Sequence, residues 1–199
     1  MNPAMREYYE RRAAEYDDWW LGTGLFAQRD RPGWHEDRDA LIAALEALEP
    51  RRTLDLACGT GFLTRHLPGA VTGVDQSASM VEIARSRGVD ALQGDALAPP
   101  PGDYERIFSS HFYGHLDARQ RERFRALADG KELVVVDSAL RPGQPDEDWQ
   151  ERTLNDGSTH RVYKRWFTPE SLQAELGQGQ VFHAGTWLIG LLRRPARSL

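Results

Sequence analysis

The sequence predicts an α/β protein built on an open, mostly parallel sheet, and three observations carry that prediction. From Thr53 onward, short apolar runs alternate with stretches of helical pattern, the punctuation of successive strand–helix–strand units. The first run, Leu54-Asp55-Leu56-Ala57, breaks into the glycine-rich turn Cys58-Gly59-Thr60-Gly61. Such a loop at a strand's carboxyl end is where open α/β sheets bind ligands. Two last strand-like runs, Gln180 to Ala184 and Thr186 to Leu192, meet at Gly185, and so tight a connection implies an antiparallel final pair.

Taken in order, residues from about Pro3 to Trp20 carry a helical pattern, and Arg38 to Leu48 form an amphipathic helix with Leu41, Ala44, Leu45 and Leu48 on one face. Between them, Gly22, Gly24, Pro32 and Gly33 punctuate the aromatic residues of 21–37, the composition of an ordered covering loop. Together these make a helical cap over 1–50. Strands are expected near 53–57, 71–74, 91–93, 105–110 and 132–138, with helices between, and Ser77 can cap the helix that follows the second. Next come the turn-rich Arg141-Pro142-Gly143-Gln144-Pro145-Asp146 and the polar-aromatic stretch Trp149 to Phe167, a cap-like insertion near 141–167. Thr168 then opens a last helix as N-cap, with Pro169 in its first turn.

At 199 residues and 40% hydrophobic content, the chain suits one compact domain over 1–199. Its single cysteine excludes an intramolecular disulfide framework. The start, Met1-Asn2-Pro3-Ala4-Met5-Arg6, has no apolar signal core, and no run approaches the roughly 20 apolar residues of a membrane span, so a cytoplasmic location is expected. A net charge of −5 gives no basic face for a polyanion, and Arg119, Arg121, Arg123 and Arg125 read as the solvated side of a helix.

Several ligands are held by glycine-rich loops, and spacing separates them. A phosphate-cradling loop would end in Gly-Lys-Ser or Gly-Lys-Thr, whereas Phe62 and Leu63 follow Gly61 here. A dinucleotide fingerprint wants glycine or alanine where Thr64 stands. Val71-Thr72-Gly73-Val74-Asp75 then ends in an acid that can accept both ribose hydroxyls. Ala91-Leu92-Gln93-Gly94-Asp95-Ala96 ends in a second, placed to meet an adenine edge.

In Asp55-Leu56-Ala57-Cys58-Gly59-Thr60-Gly61, Val74-Asp75-Gln76-Ser77-Ala78-Ser79-Met80, Gly94-Asp95-Ala96 and Phe108-Ser109-Ser110-His111, the chain resembles the class I S-adenosylmethionine-dependent methyltransferases. The start, with Tyr8-Tyr9 and Ala14-Glu15-Tyr16-Asp17 as a helical lid, is similar to small bacterial members acting on small molecules. The resemblance implies a Rossmann-like, doubly wound, seven-stranded sheet, mostly parallel with its last strand antiparallel. It implies S-adenosylmethionine as cofactor and S-adenosylhomocysteine as product. It also implies that Ala57, Gly59 and Gly61 line the methionine moiety, that Asp55 holds its amino group directly or through water, and that Asp75 takes the ribose hydroxyls. Gln76 and Met80 would flank adenine, Asp95 and Ala96 would read its edge, and Tyr16, Cys58, Leu97 and Ser109 would complete the pocket.

Transfer from an activated sulfonium is an in-line displacement in which positioning and exclusion of water can supply most of the catalysis, so a base is needed only for an acceptor that must lose a proton. By the resemblance, the segment after strand four borders the acceptor, which makes His111 the first catalytic candidate, with His115 and Tyr113 behind it. Cys58 sits in a glycine turn as a small residue and not as a nucleophile. No Asn-Pro-Pro-Tyr motif appears where the DNA and protein-amide methylating branch carries it, and no acids cluster between Ile107 and His115, so neither a base nitrogen acceptor nor a metal is expected. Trp19, Trp20, Trp34, Trp149 and Trp166, with Tyr8, Tyr9, Tyr16, Tyr163 and Phe167, can wall an apolar pocket. His35, His160 and Lys164 are further polar candidates. The expected function is metal-independent methyl transfer to an O, N or C atom of a small, partly apolar molecule. Its rivals are a non-catalytic donor-binding module and a nicotinamide-dependent oxidoreductase.

Overall fold

A computed structural model describes residues 3–195; Met1, Asn2 and the last four residues, which the expected domain includes, lie outside the described residues. Nine strands form: β1 (Thr53–Leu56), β2 (Val71–Asp75), β3 (Asp90–Gln93), β4 (Arg106–Ser110), β5 (Glu132–Ser138), β6 (Glu147–Thr153), β7 (Thr159–Arg165), β8 (Gln180–Ala184) and β9 (Leu188–Arg193). Seven of them build one sheet in the order β3-β2-β1-β4-β5-β9-β8. Its pairs from β3 to β5 are parallel, and β9 runs antiparallel between β5 and β8. This is the doubly wound, seven-stranded arrangement with one reversed strand.

The central strands β1, β4 and β5 are buried almost throughout because both faces are covered. Leu133 and Val135 of β5 enter one core with Leu56, Ile107, Phe124 and Leu172. Val134 and Val136, pointing the other way with the period of two, pack with Trp20, Trp34, Leu41 and Leu45. The first layer is supplied by α5 (Ala118–Leu127) and α6 (Pro169–Leu176), the second by α2 (Asp18–Leu21) and α3 (Trp34–Glu46). Ser77 caps α4 (Ala78–Ser86) by accepting from the Met80 N–H at 3.1 Å, and Thr168 and Ser171 form a reciprocal capping box on α6.

Four expectations are corrected. The long N-terminal helix is α1 (Pro3–Arg12), then a 3-10 turn, then α2. The second cap helix starts at Trp34, four residues before Arg38, because Gly33 takes the left-handed conformation just ahead of it. No α-helix separates β1 from β2, where one 3-10 turn, Thr64–His66, stops before Pro68. None separates β3 from β4 either: Pro99, Pro100 and Pro101 occupy that connection, and proline lacks the amide hydrogen a helix interior needs. The insertion is a two-stranded hairpin of β6 and β7. It sits on α1 through Leu154 and Val162, which pack with Tyr8, and through the Arg11–Asp156 ion pair at 2.7 Å. Among the described residues no helix is long and apolar enough to cross a membrane.

Candidate active site

The sheet order changes direction between β1 and β4, and both strands end there in strained backbone. Ala57 after β1 has φ +64° and His111 after β4 has φ +51°, a left-handed conformation that costs a non-glycine residue about 1–2 kcal/mol. Strain of this kind collects at functional sites. A cavity opens beside these two residues, at the place where open α/β sheets bind ligands.

The glycine loop is fixed from below. The Asp75 carboxylate accepts from the Gly59 N–H at 2.9 Å and from the Ser77 N–H at 2.9 Å, so the acid ending β2 ties the first loop to the start of α4. Burial raises its pKa, and those backbone donors oppose the rise. With Asp75, the residues Tyr16, Ala57, Gly59, Gln76, Met80, Asp95 and Ala96 all reach the cavity. Asp95 keeps its turn closed by accepting from the Leu97 N–H at 2.9 Å.

Other expected residues stand behind that wall. Asp55 is buried beneath the loop, accepts from the Thr64 hydroxyl at 2.6 Å, and leaves Oδ1 without a protein partner; burial pushes its pKa up to about 7. The Cys58 side chain packs on bare Gly73, where a Cβ would meet Sγ at 2.7 Å. Gly61 faces α4, where a Cβ would meet Ala84 and Val89 at 3.3 and 3.0 Å; its glycine serves close loop–helix packing. Ser109 donates to the Leu56 carbonyl at 3.0 Å and joins β4 to β1, and Leu97 lies in the core. Tyr113 corrects the catalytic set: the 3-10 turn after β4 aims it into the core against Phe124 of α5, and its hydroxyl donates to Glu175 of α6 at 2.9 Å. Burial and Glu175 push it up to about 12.

His111 and His115 do reach the cavity. His111 Nδ1 lies 3.3 Å from the Ser138 hydroxyl and 3.7 Å from Asp137 Oδ1, and its Nε2 is buried with no protein partner. Burial lowers its pKa, with the Lys164 and Arg152 charges adding and Asp137 opposing. His115 Nδ1 faces the Tyr163 carbonyl, which makes that nitrogen the donor and leaves Nε2 basic; burial, Lys164 and Arg152 hold its pKa well below the usual imidazole value. Buried Asp137 anchors the group. It binds Lys164 Nζ and accepts from the Gly114 N–H at 2.8 Å, and although burial would raise its pKa, Lys164 and His111 outweigh that and keep it a carboxylate.

A second, wider cavity lies under the cap and the hairpin, and both cavities share Tyr9, Tyr16, His111 and His115. Tyr9, Ser110 and Phe112 also wall the first cavity; Ser110 and Phe112 belong to the segment after strand four that the resemblance puts beside the acceptor, and Tyr9 to the aromatic residues of the cap. His160 and Lys164 come near the second cavity from the hairpin: Lys164 lines it, while His160 packs on Tyr8. His35 lies against Gly22 and reaches neither cavity. Among the described residues no three His, Cys, Asp or Glu side chains converge to hold a metal.

Residues 53–130 match the family described as a methyltransferase domain. The trans-aconitate 2-methyltransferase of Mycolicibacterium gilvum is 53% identical over 68 residues, covering 31% of this chain and 27% of that protein. The 2-phytyl-1,4-naphtoquinone methyltransferase of Thermosynechococcus vestitus is 38% identical over 119 residues, 52% of this chain and 53% of that protein. The chain thus spans about half or less of the length of these curated relatives. The structure of DhpI in complex with SAM and HEP superposes with a TM-score of 0.73 at 25% identity, covering 96% of both chains.

Proposed function

We propose that the chain belongs to the class I S-adenosylmethionine-dependent methyltransferases and moves a methyl group from S-adenosylmethionine to an O, N or C atom of a small molecule, a reading supported by its domain match over residues 53–130, its sheet order and its likeness to a donor-bound structure. One observation carries this reading: two cavities, one behind the glycine loop and one beneath the cap, meet at Tyr9, Tyr16, His111 and His115. A donor-binding module without catalysis would have no use for the second.

The donor fits the polar groups present. Asp75 is proposed to accept the ribose hydroxyls, Gln76 and Met80 to flank adenine, Asp95 and Ala96 to read its edge, and Ala57 and Gly59 to border the methionine portion. The unpartnered Asp55 Oδ1 is a buried acceptor that an ammonium group or a water would complete. When bound, the donor supplies a methyl group on a positively charged sulfur that leaves as a neutral thioether. The chain's own residues then position and dry the acceptor: Tyr9 and Tyr16 close the junction, and His111, its Nδ1 turned to Ser138 and Asp137, offers Nε2 to a proton on the acceptor. On the same reading the enzyme works as one domain, cytoplasmic and bacterial, without metal, nucleic acid or membrane. The net charge of −5 supports a small acceptor over a polyanion. The two relatives' names give unlike acceptors, trans-aconitate and a phytyl naphthoquinone, so acceptor identity has to come from this chain's own cavity.

Calorimetry with S-adenosylhomocysteine tests the donor site. Asp75→Ala and Asp95→Ala are each expected to lose about 1–3 kcal/mol of binding through unsatisfied hydrogen bonds; unchanged affinity in both, or tighter binding of NADH, would overturn the assignment. Turnover is expected to survive EDTA, and activity restored only by Mg²⁺ would show a metal requirement.

A further inference from the structure

The wider cavity has an uneven charge for so acidic a chain. Net charge is −5, yet Arg12, Arg29, Arg31, Arg141 and Arg152 all line this one space. Among the described residues none of the five is ion-paired with a carboxylate. Aromatic faces hold four of them instead: Arg12 lies 5.1 Å from the Tyr16 ring centre, Arg29 4.5 Å from Phe26, Arg31 4.2 Å from Trp34 and Arg141 4.1 Å from Trp187. Stacking covers the flat face of a guanidinium and leaves its edge of N–H donors available. Few of those donors are used: Arg12 meets the Tyr8 hydroxyl, Arg31 the Trp19 carbonyl at 3.0 Å, and Arg152 the Gln150 side chain at 3.1 Å.

The remaining charges on the wall do not balance the cluster. Lys164 is neutralised by Asp137. Glu15 accepts from the Asn155 N–H at 2.8 Å, and Asp30, Asp148 and Glu151 come no closer than ion-pair distance to any of the five arginines. Burial and the Arg12 and Arg152 charges make Arg29 easier to deprotonate, and burial with Arg29 brings Arg31 down to about 10. Arg12 is only 8% exposed, and the phenols of Tyr8, Tyr9 and Tyr16, with no carboxylate beside it, keep it charged against the cost of burial. The cluster abuts the junction of the cavities, because Arg12 stacks on Tyr16 and the Arg152 charge reaches both His111 and His115.

We propose that the methyl acceptor is a small oxyanion, a molecule whose carboxylate, phosphate or phosphonate group is gripped by Arg12, Arg29 and Arg152 beside the donor pocket. Forked guanidinium donors match the paired oxygens of such groups, and Trp19, Trp34 and Phe26 give an apolar wall for the rest of the molecule. The proposal rests on the methyltransferase reading, since it names the substrate class of that site.

The full chain, saturated with S-adenosylhomocysteine, is titrated at constant ionic strength with succinate, methylphosphonate and inorganic phosphate, and with dimethyl succinate as the uncharged control. Calorimetry and thermal unfolding are the readouts. At least one oxyanion is expected to bind and raise Tm while the diester does neither, and the relative strength of carboxylate and phosphonate identifies which group the site takes. Arg29→Gln and Arg152→Gln are each expected to weaken that binding roughly tenfold or more and to leave S-adenosylhomocysteine affinity unchanged. Oxyanions that fail to bind, a diester that binds equally, or binding indifferent to both substitutions would overturn the proposal. Failure of S-adenosylhomocysteine itself to bind counts against the donor reading alone, and oxyanion binding to the free chain, lost in Arg29→Gln, would then still support the arginine grip.

Discussion

His111 combines three features that rarely coincide by chance: a left-handed backbone, a buried Nε2 without a partner and a place on both cavities. Asparagine tolerates the left-handed region, so His111→Asn removes the imidazole with little backbone penalty. For an acceptor that carries a proton, the variant is expected to lose about 10²-fold in kcat with S-adenosylhomocysteine affinity intact. Because burial lowers the imidazole pKa, the ascending limb of the wild-type pH–rate profile should fall below about 6.5, with activity lost as pH drops through it. A loss confined to KM would make His111 a positioning residue. Asp55 offers a stability counterpart. Its folded pKa of about 7 stands above the unfolded value of about 3.9. Between the two the folded state keeps a proton that the unfolded state has released. Stability should therefore fall as pH rises from about 4 to 7 and level off above. Asp55→Asn, which can still accept from Thr64, is expected to gain on the order of 1–4 kcal/mol over wild type at pH 8 and about a third of that at pH 5 in urea unfolding; equal gains at both would mean Asp55 stays ionised. The strand-end acids and the histidine were readable because their position at a strand terminus already fixes which edge they occupy. Whether Cys58, Gly61 or Tyr113 faces the cavity depends on the rotation of the turn that carries it, which the residue type does not disclose.

Among the elements, strands β1, β4 and β5 were legible from short apolar runs set between turn signals, whereas the β6–β7 hairpin was not. The inward face of β7 carries His160, Val162 and Lys164 and the outward face Thr159, Arg161 and Tyr163, so burial alternates there without an alternation of apolar and polar residue types. The joint between α3 and the β8–β9 turn was equally hidden. Asp37 on α3 accepts from the Trp187 N–H at 2.7 Å, the Leu188 N–H at 3.2 Å and His183 Nε2 at 2.6 Å, and bare Gly185 lets its carboxylate fit against the turn. Nothing in the sequence couples an acid in the cap to a turn nearly 150 residues later. Asp37→Ala strands two backbone donors beneath the helix and is expected to cost about 2–4 kcal/mol. Urea unfolding measures it, with Asp37→Asn recovering part of the loss because its amide oxygen still accepts. A cost under about 0.5 kcal/mol would mean water replaces the carboxylate freely.

On the scale of the whole molecule, the five unpaired arginines come from α1, the loop after α2, the connection after β5 and the hairpin. They are scattered in the sequence and meet only because cap and hairpin fold over the same sheet edge. That cap is tied to the donor loop at a distance from either cavity. Asp17 accepts from the Thr60 hydroxyl at 2.6 Å and pairs with Arg87 beyond α4, while Glu10 of α1 accepts from the Ser79 hydroxyl at 2.6 Å at the start of α4. Since Tyr9 and Tyr16 wall the donor cavity from the cap and Asp75 and Asp95 from the sheet, ligand binding should stabilise both together. At one hundred times its Kd, S-adenosylhomocysteine is expected to add about 2.7 kcal/mol, a rise of roughly 5–11 °C in Tm for a chain of this size. Asp17 lines neither cavity, so Asp17→Ala separates closure from contact. If the cap must be held down for Tyr9 and Tyr16 to complete the pocket, the substitution should weaken S-adenosylhomocysteine by about fivefold, near 1 kcal/mol, and reduce the Tm rise at fixed ligand concentration. Lower stability with unchanged affinity would instead make the cap a preformed wall whose position does not depend on this tie.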